Sequence, residues 1–377
     1  MHGVGHPWAK RTFQTFNLSP FLSIPEQQNP DPTFPTVPFP NPEENGALDI
    51  AMEFASDNDC DVVLANDPDA DRLAVAERCR SNSGNDSSIS DGDSDGDGDS
   101  DSWIAFSGDQ IGTMLGYWIW ENLGKKSEKP VAMCASTVSS KMLAAIAEKE
   151  GFLFNETLTG FKYIGSRAVE LSQEEKYRPL FLYEEAIGFC CGDVVFDKDG
   201  LTAAGVMAQL VRDTYRVGLT LNQHMQSLYD KYGFFASNNG YYYCSDPNIT
   251  NKIIESIRNN GTYNMTNNVI GGGGKGEYSY EVKSIRDLGY PGYDSTTIDK
   301  KPTLPISKSS PMITISFTNG CTAQFRASGT EPKFKFYIEM RGKPGVPKDV
   351  VERDLYEMSA VLLEELLQPD FHGLVKP

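Results

Sequence analysis

The stretch that decides the reading is VVLANDPDADRLAVAE, residues 62 to 77. Asp67, Asp69 and Asp71 stand at alternate positions, directly after an apolar run and directly before Arg72. Carboxylates held this close repel one another, so something must offset them. At a solvated surface turn that something is water; at a site it is a divalent cation. Hard oxygens on alternate residues of a tight loop can aim at one centre, and Mg2+ accepts two or three carboxylates together with substrate phosphate. Arg72 adds a guanidinium that can hold a phosphate without the metal.

Outward from this loop, the pattern is one of strands alternating with helices. The opening MHGVGHPWAKRTFQTF reads as a glycine turn running into an amphipathic helix, and residues 17 to 46 are proline-rich and read as extended chain. PEENGALDIAMEFASDNDCDVVLAND predicts a helix and then a buried strand ending at the aspartates. RLAVAER and WIAFSGDQ predict two strands, and GDQIGTMLGYWIWENLG a helix. The pattern then repeats: strand VAMCAST, helix SSKMLAAIAEKEG, strands FLFNETLTG and PLFLYEEAIGF, helix LTAAGVMAQLVRDTYRVG. Such alternation predicts parallel sheets covered on both faces. After about residue 240 hairpin language takes over, closed by the helix PKDVVERDLYEMSAVLLEELL, which predicts a separate α+β domain.

The 377 residues, 39% hydrophobic and 23% charged, can build two or three domains around substantial cores. The formal charge of −18 argues against a nucleic-acid backbone as partner. Seven of those charges sit on aspartates in residues 81–102, SNSGNDSSISDGDSDGDGDSDS, which contain no basic residue. Asp91, Asp93, Asp95 and Gly96 fit the first half of an EF-hand loop, yet its twelfth position is Ser102 where a bidentate Glu belongs. An exposed hairpin insertion outside the chemistry is therefore expected there, with a calcium-responsive segment as the other reading. Seven scattered cysteines without CxxC spacing suit reduced thiols in a cytoplasmic protein, and no apolar run reaches membrane-span length.

Three further loops carry chemistry, and ligands of open α/β sheets gather at the carboxyl ends of strands. TLTGFKYIGSRA sets Gly160, Phe161 and Lys162 at a turn into a helix, where Lys162 is either a working ammonium or an ordinary surface lysine. YEEAIGFCCGD ends an apolar strand with Glu184 and Glu185, which could accept hydrogen bonds from sugar hydroxyls or cap a helix. RASGTEPK combines Arg326, Ser328, Gly329, Thr330 and Lys333, equipment for a phosphate dianion or an ordinary polar turn.

Taken together, metal, sugar-hydroxyl and phosphate loops resemble those of the α-D-phosphohexomutase superfamily. Its metal loop reads D-x-D-x-D-R, its sugar-facing loop G-[FW]-K, its specificity loop E-E-S-x-G and its phosphate loop R-x-S-G-T-E-P. All four occur here in that order, and HGVGH, EEAIG, KSS-M and SGTEPK are similar to the wording of the eukaryotic phosphopentomutase and glucose-1,6-bisphosphate synthase branch. The resemblance implies two α/β domains with mixed sheets followed by a C-terminal α+β domain. Residues 1–125 correspond to the metal-binding second domain, 126–240 to the sugar-binding third and 241–377 to the phosphate-binding fourth. The superfamily's first domain carries a phosphoserine in a T-A-S-H-N-P loop, and no such stretch occurs here. CASTVSSK and SKSSPM lack the His-Asn-Pro continuation. The expectation is that this first domain and the first strand of the second are missing, leaving an exposed sheet edge.

The resemblance also implies roles. Asp67, Asp69 and Asp71 would hold Mg2+; Arg72 would assist there; Lys162 would exchange the proton with the sugar oxygen. Gly160, Phe161, Glu184 and Glu185 would face the sugar, and Arg326, Ser328, Gly329, Thr330 and Lys333 would grip the phosphate that stays put. A sugar bisphosphate would prime a monomeric enzyme that isomerises sugar 1-phosphates and 5- or 6-phosphates. Ala186 stands where hexose-phosphate members have serine, which removes a hydroxyl partner and favours pentose phosphates. The alternative is a short non-catalytic paralogue that binds phosphosugar or protein partners.

Overall fold

A short connection decides the direction of the first two strands. Strand β1 (Val62–Ala65) reaches β2 (Ala74–Cys79) through the aspartate loop alone, and β2 is followed in sequence by β3 (Ser102–Ala105) with no described helix between. A parallel pair needs a crossover of a dozen residues or more, whereas a short loop returns the chain antiparallel. β1 and β2 are accordingly antiparallel, with Ala65 opposite Ala74; β3 also pairs antiparallel with β2, Cys79 opposite Ser102, which gives the order β1-β2-β3. This corrects the expectation of a parallel first sheet. It also corrects the expected buried strand, since only Val63 of β1 is buried. β1 forms the sheet edge, and an apolar cavity of about 350 Å³ runs along it, lined by Phe13, Phe21, Phe54, Leu64 and Ala208 among others.

The computed structural model describes residues 1–80, 102–174, 176–244, 246–259, 269–270, 280–308, 310–328 and 332–376. The acidic segment expected to form a hairpin insertion lies outside the described residues, apart from Ser102. The chain divides into two compact units, Met1–Ser139 with Leu143–Gln226, and Ser140–Met142 with Ser227–Pro377.

In the first unit, α1 (His6–Thr15) and α2 (Asp49–Asp57) precede β1, and residues 17–46 between them form turns without a helix or strand. Helix α3 (Gly108–Asn122) opens with a capping box: Ser107 Oγ accepts from the Gln110 N–H while the Gln110 side chain accepts from the Ser107 N–H. The second sheet is mixed, order β5-β4-β6-β7, from β4 (Val131–Ser136), β5 (Leu153–Thr157), β6 (Arg178–Glu184) and β7 (Gly188–Cys191). β4 pairs in parallel with β5 and β6 because α4 (Met142–Glu150) and α5 (Phe161–Gln173) provide the crossovers, and β7 returns antiparallel through a short turn. Every residue of β4 is buried, as a strand covered on both faces requires. Helix α6 (Gly200–Arg216) follows, then α7 (Leu221–Tyr232), whose first residues, to Gln226, belong to this unit; the sequence reading included α6 and missed α7.

Glu77 of β2, 1% exposed, ties that sheet to the α7 end of the unit. Its carboxylate accepts from the Tyr215 hydroxyl at 2.7 Å and from the N–H groups of Leu221 at 2.6 Å and Asn222 at 2.8 Å. Burial first, and then the Glu77 carboxylate, push the Tyr215 phenol up and keep it a donor.

The second unit is a sheet of order β11-β10-β12-β13-β14-β8, with β9 paired to β10. Its strands are β8 (Phe235–Tyr243), β9 (Val269–Ile270), β10 (Tyr280–Asp287), β11 (Tyr293–Asp294), β12 (Met312–Phe317), β13 (Cys321–Ala327) and β14 (Lys333–Arg341), and all described pairs are antiparallel. Alternate residues of β14 are buried, Phe334, Phe336, Ile338 and Met340, so one face is apolar. That face joins a core with Ile253 and Ile257 of α8 (Pro247–Arg258) and Leu355, Met358 and Leu362 of α9 (Lys348–Leu367), while α10 (Pro369–His372) ends the chain's helices. Among the described residues no helix is long and apolar enough to cross a membrane.

Removing the Glu77 carboxylate leaves two buried amides and a phenol without an acceptor. Glu77→Ala should lower urea-unfolding stability by about 3 kcal/mol and Glu77→Gln by about 1 kcal/mol. Equal midpoints for both variants and the unaltered chain would show that these bonds contribute nothing.

Candidate active site

Chain reversal between β1 and β2 puts the aspartate loop at the carboxyl end of β1. Ala70 takes a positive φ of 61°, and the Asp67 carbonyl accepts from the Ala70 N–H at 3.1 Å, which closes the turn. One ligand oxygen from each of Asp67, Asp69 and Asp71 then lies within 4.8 Å of the others. The loop is held from three sides. The Val4 N–H donates to Pro68 O at 2.9 Å, the Asn66 amide donates to Arg72 O at 2.6 Å, and the Gly200 N–H donates to Ala70 O at 3.1 Å. Gly200 must be glycine for this contact, since a Cβ there would stand 2.1 Å from Arg72 O.

The charges are only partly offset. Arg72 gives its N–H to Asp67 Oδ1 at 3.0 Å, and its Nε stands 3.8 Å from both Asp67 and Asp71. Lys198 Nζ lies 3.1 Å from Asp71 Oδ2 and 3.3 Å from Glu184 Oε1. Burial pulls the Lys198 ammonium down, but Glu184 and Asp71 outweigh it and the net shift is upward. Asp67 is pushed up to about 6, by burial first and then by Asp69 and Asp71, against the backbone bond from Arg72. A carboxylate group that retains protons for want of positive charge is the donor set a hard divalent cation fits. The three oxygens suit Mg2+ in number and chemistry.

The second sheet supplies the neighbours. Three adjacent parallel strands, β5, β4 and β6, end in three loops at their carboxyl ends: TGFK, STVSS and EEAIG. At the first, Gly160 has φ of 106°, a conformation glycine alone adopts readily, and starts α5 without a side-chain cap. Lys162 is exposed in the first helical turn, its ammonium 5.0 Å from the Tyr163 ring centroid. Phe161, expected among the sugar contacts, is 7% exposed and packs with Ile164, Ala168 and Leu182, because the residue after the turn points back into the core. β5 and β6 lie two strands apart, so the first and third loops are separated by about 10 Å.

At the third loop Ile187 takes φ of 51°, its carbonyl accepts from the Leu73 N–H at 3.0 Å, and Arg72 and Gly188 form an isolated bridge. Burial first pushes Glu184 up, with Lys198 pulling against it. The structure thus brings together Asp67, Asp69, Asp71, Arg72, Glu184 and Lys198. Lys198 escaped the sequence reading: VVFDKDG carries no spacing signal, and its partners are 14 and 127 positions away in sequence.

In the second unit, Arg326 Nε donates to Ser310 Oγ at 3.3 Å, and the Ser328 N–H donates to Lys333 O at 3.0 Å. The Lys333 ammonium stands 4.4 Å from the Tyr241 ring centroid. Arg326 and Lys335 are cross-strand neighbours, on the sheet face opposite the apolar core. Gly329 and Thr330 lie outside the described residues.

A fold of this order, with a DPDADR loop at the end of β1 braced by an EEAIG turn, belongs to a known class. Residues 1–81 match the model for phosphoglucomutase/phosphomannomutase α/β/α domain II, and residues 107–232 match the model for domain III. The chain belongs to the phosphoglucomutase/phosphomannomutase family. It is 42% identical to the phosphopentomutase of Homo sapiens, over 99% of this chain and 58% of that protein. To the glucose 1,6-bisphosphate synthase of Homo sapiens it is 39% identical, over 99% of this chain and 57% of that protein. The chain therefore spans less than two thirds of the curated relatives it matches. Parafusin from Paramecium, a phosphoglucomutase solved in its open form, shares the fold with a TM-score of 0.64 at 18% identity, covering 100% of this chain and 58% of that one.

The raised Asp67 gives a pH dependence with a definite sign. Its carboxyl is above the ordinary value in the folded chain, so between about 4 and 6 the folded state holds the extra proton. Without metal, this loop's contribution to stability is fully present below about 4 and is lost as pH rises through about 6. Mg2+ must displace that proton, so calorimetric affinity should rise with pH up to about 6 and level off above it. Asp69→Ala should abolish binding. Affinity flat from pH 4.5 to 7, or unchanged in Asp69→Ala, would remove the metal assignment.

Proposed function

We propose that this chain supplies the metal-holding, sugar-reading and phosphate-gripping parts of an intramolecular phosphotransferase. The reaction interconverts a sugar 1-phosphate with the 5- or 6-phosphate, of ribose, deoxyribose or glucose, through a bisphosphate intermediate and a phosphoserine. The observation that carries the reading is the convergence of three carboxylates on a loop braced by the Glu184–Gly188 turn, in a chain of this family. The names of its relatives, phosphopentomutase and glucose 1,6-bisphosphate synthase, supply the substrate class.

Asp67, Asp69 and Asp71 would hold Mg2+, which when bound neutralises charge on the phosphoryl group as it transfers. Arg72 backs the loop and offers its guanidinium to a phosphoryl oxygen. Lys198 orients Glu184, and the turn carrying Glu184 and Glu185 reads the sugar hydroxyls. Lys162, presented by the Gly160 turn, gives a proton to or takes one from the sugar oxygen. Arg326, Ser328, Gly329, Thr330 and Lys333 hold the phosphate that is not transferring. Ala186 leaves out a hydroxyl partner, which suits a pentose. The three family domains span about residues 1–125, 126–240 and 241–377, and the enzyme acts as a cytoplasmic monomer primed by a sugar bisphosphate.

Between half-reactions the phosphoryl group must rest on a nucleophile. No T-A-S-H-N-P stretch occurs among the 377 residues, so the proposal assigns the phosphoserine to sequence outside them. Residues 1–377 assayed with Mg2+, a bisphosphate primer and ribose 1-phosphate or glucose 1-phosphate should show no turnover. Calorimetry on the same sample should show ribose 1-phosphate binding more tightly than inorganic phosphate. Turnover that disappears in Asp69→Ala would overturn the phosphoserine assignment. Equal affinity for ribose 1-phosphate, glucose 1-phosphate and inorganic phosphate would overturn the substrate class.

In a longer version containing the T-A-S-H-N-P loop, deleting residues 81–102 should leave kcat within about twofold, because none of the proposed site residues lies in the segment. A tenfold loss with an unchanged melting temperature would bring the acidic segment into the reaction.

A further inference from the structure

The loop between β4 and α4 has been given no task so far. Ser136, the last residue of β4, and Ser139 in the loop are 1% and 2% exposed, and a buried hydroxyl without a partner is costly. Their partner is Glu185. Ser136 Oγ donates to Glu185 Oε2 at 2.7 Å, and Ser139 Oγ donates to the same oxygen at 3.3 Å. The two hydroxyl oxygens are 2.8 Å apart, and the Ser139 N–H donates to Ser136 Oγ at 3.1 Å. Two hydroxyl hydrogens serve the three contacts: Ser136 passes its own to the carboxylate, which can only accept, and the Ser139 hydrogen is shared between Glu185 Oε2 and Ser136 Oγ.

Neighbouring residues at a strand's end point to opposite sides, and here the two glutamates have different partners. Glu184 meets Lys198, which also holds Asp71. Glu185 is clamped by serines from the adjacent strand. The backbone of the same turn is trapped by α3, since a Cβ on Gly108 would lie 1.9 Å from Glu185 O and 3.0 Å from Ile187 N. Ile187 O in turn receives the Leu73 N–H, one residue beyond Arg72.

We infer that Ser136 and Ser139 are positioning residues: they anchor Glu185 beneath the 184–188 turn, leave Glu184 as the carboxylate offered to the sugar, and brace the aspartate loop through Ile187 and Leu73. The sugar part rests on the proposed function; the bracing part does not. The pair divides the labour of two adjacent carboxylates that look equivalent in sequence. It also accounts for the burial of Ser136 and Ser139.

Two measurements on residues 1–377 test this. The first is amide hydrogen exchange at Leu73, which reads the brace without any ligand. The second is the calorimetric preference for ribose 1-phosphate over inorganic phosphate in the presence of Mg2+. Ser136→Ala/Ser139→Ala should speed Leu73 exchange about tenfold and cut the preference about fivefold, the scale expected for a released buried carboxylate. Glu184→Gln should cut the preference and leave Leu73 exchange within about twofold, a split that a merely structural role for the serines would not produce. Should the double variant fail to fold, Ser139→Ala alone removes the longer bond and should move both readouts in the same direction. Leu73 exchange unchanged by the serine variants, or accelerated equally by Glu184→Gln, would overturn the inference. A wild-type chain with no preference for ribose 1-phosphate would sink the proposed function instead, and Leu73 exchange would still decide the brace.

Discussion

Repulsion among three carboxylates is the constraint around which the first unit is arranged. Like charges a few ångströms apart cannot all be ionised at low cost when one of them is nearly buried, and Asp67 is 9% exposed. The chain offsets part of that cost with the Arg72 amide, a guanidinium at 3.8 Å and the Lys198 ammonium at 3.1 Å from Asp71. The remainder is what the Mg2+ proposed for this loop would offset. A turn optimised for stability alone would spread these charges into solvent, and this one gathers them.

Holding such a loop demands backbone contact closer than side chains allow. Gly200 at the start of α6 and Gly108 at the start of α3 both sit where a Cβ would collide with a carbonyl, of Arg72 and of Glu185 respectively. Helix starts therefore press directly on the two loops that carry charge. This is rigid support of the kind a reaction controlled by positioning needs, and it comes from elements that are otherwise ordinary, one opened by a capping box and the other by an aspartate cap.

The second unit solves a different problem. Strand β14 alternates strictly, with phenylalanines, Ile338 and Met340 in the core shared with α8 and α9 and polar residues on the other face. Arg326 and Lys335 stand side by side on that polar face because β13 and β14 are paired in register, which concentrates positive charge without any close sequence spacing. Ser328 after β13 is held to Lys333 at the start of β14 by one backbone bond.

How much of this was legible depends on the range of the interaction concerned. Local chemistry spoke clearly: the alternate aspartates, the glycine before Lys162, the paired glutamates and the order of four loops were enough to name the class and its two α/β domains. Periodicity found α1, α6 and α9 because their apolar faces repeat. The alternation of strands and helices misled about β1 and β2, whose antiparallel pairing follows from the short aspartate loop that joins them. Periodicity could not see Phe161 turning inward, Lys198 reaching two carboxylates, or Ser136 and Ser139 gripping Glu185 from the neighbouring strand. By itself the sequence determined which groups are present and which short loops bring them close. The tertiary structure alone decided how each is paired, because hydrogen bonds across 46 or 127 residues depend on strand order and leave no trace in local spacing.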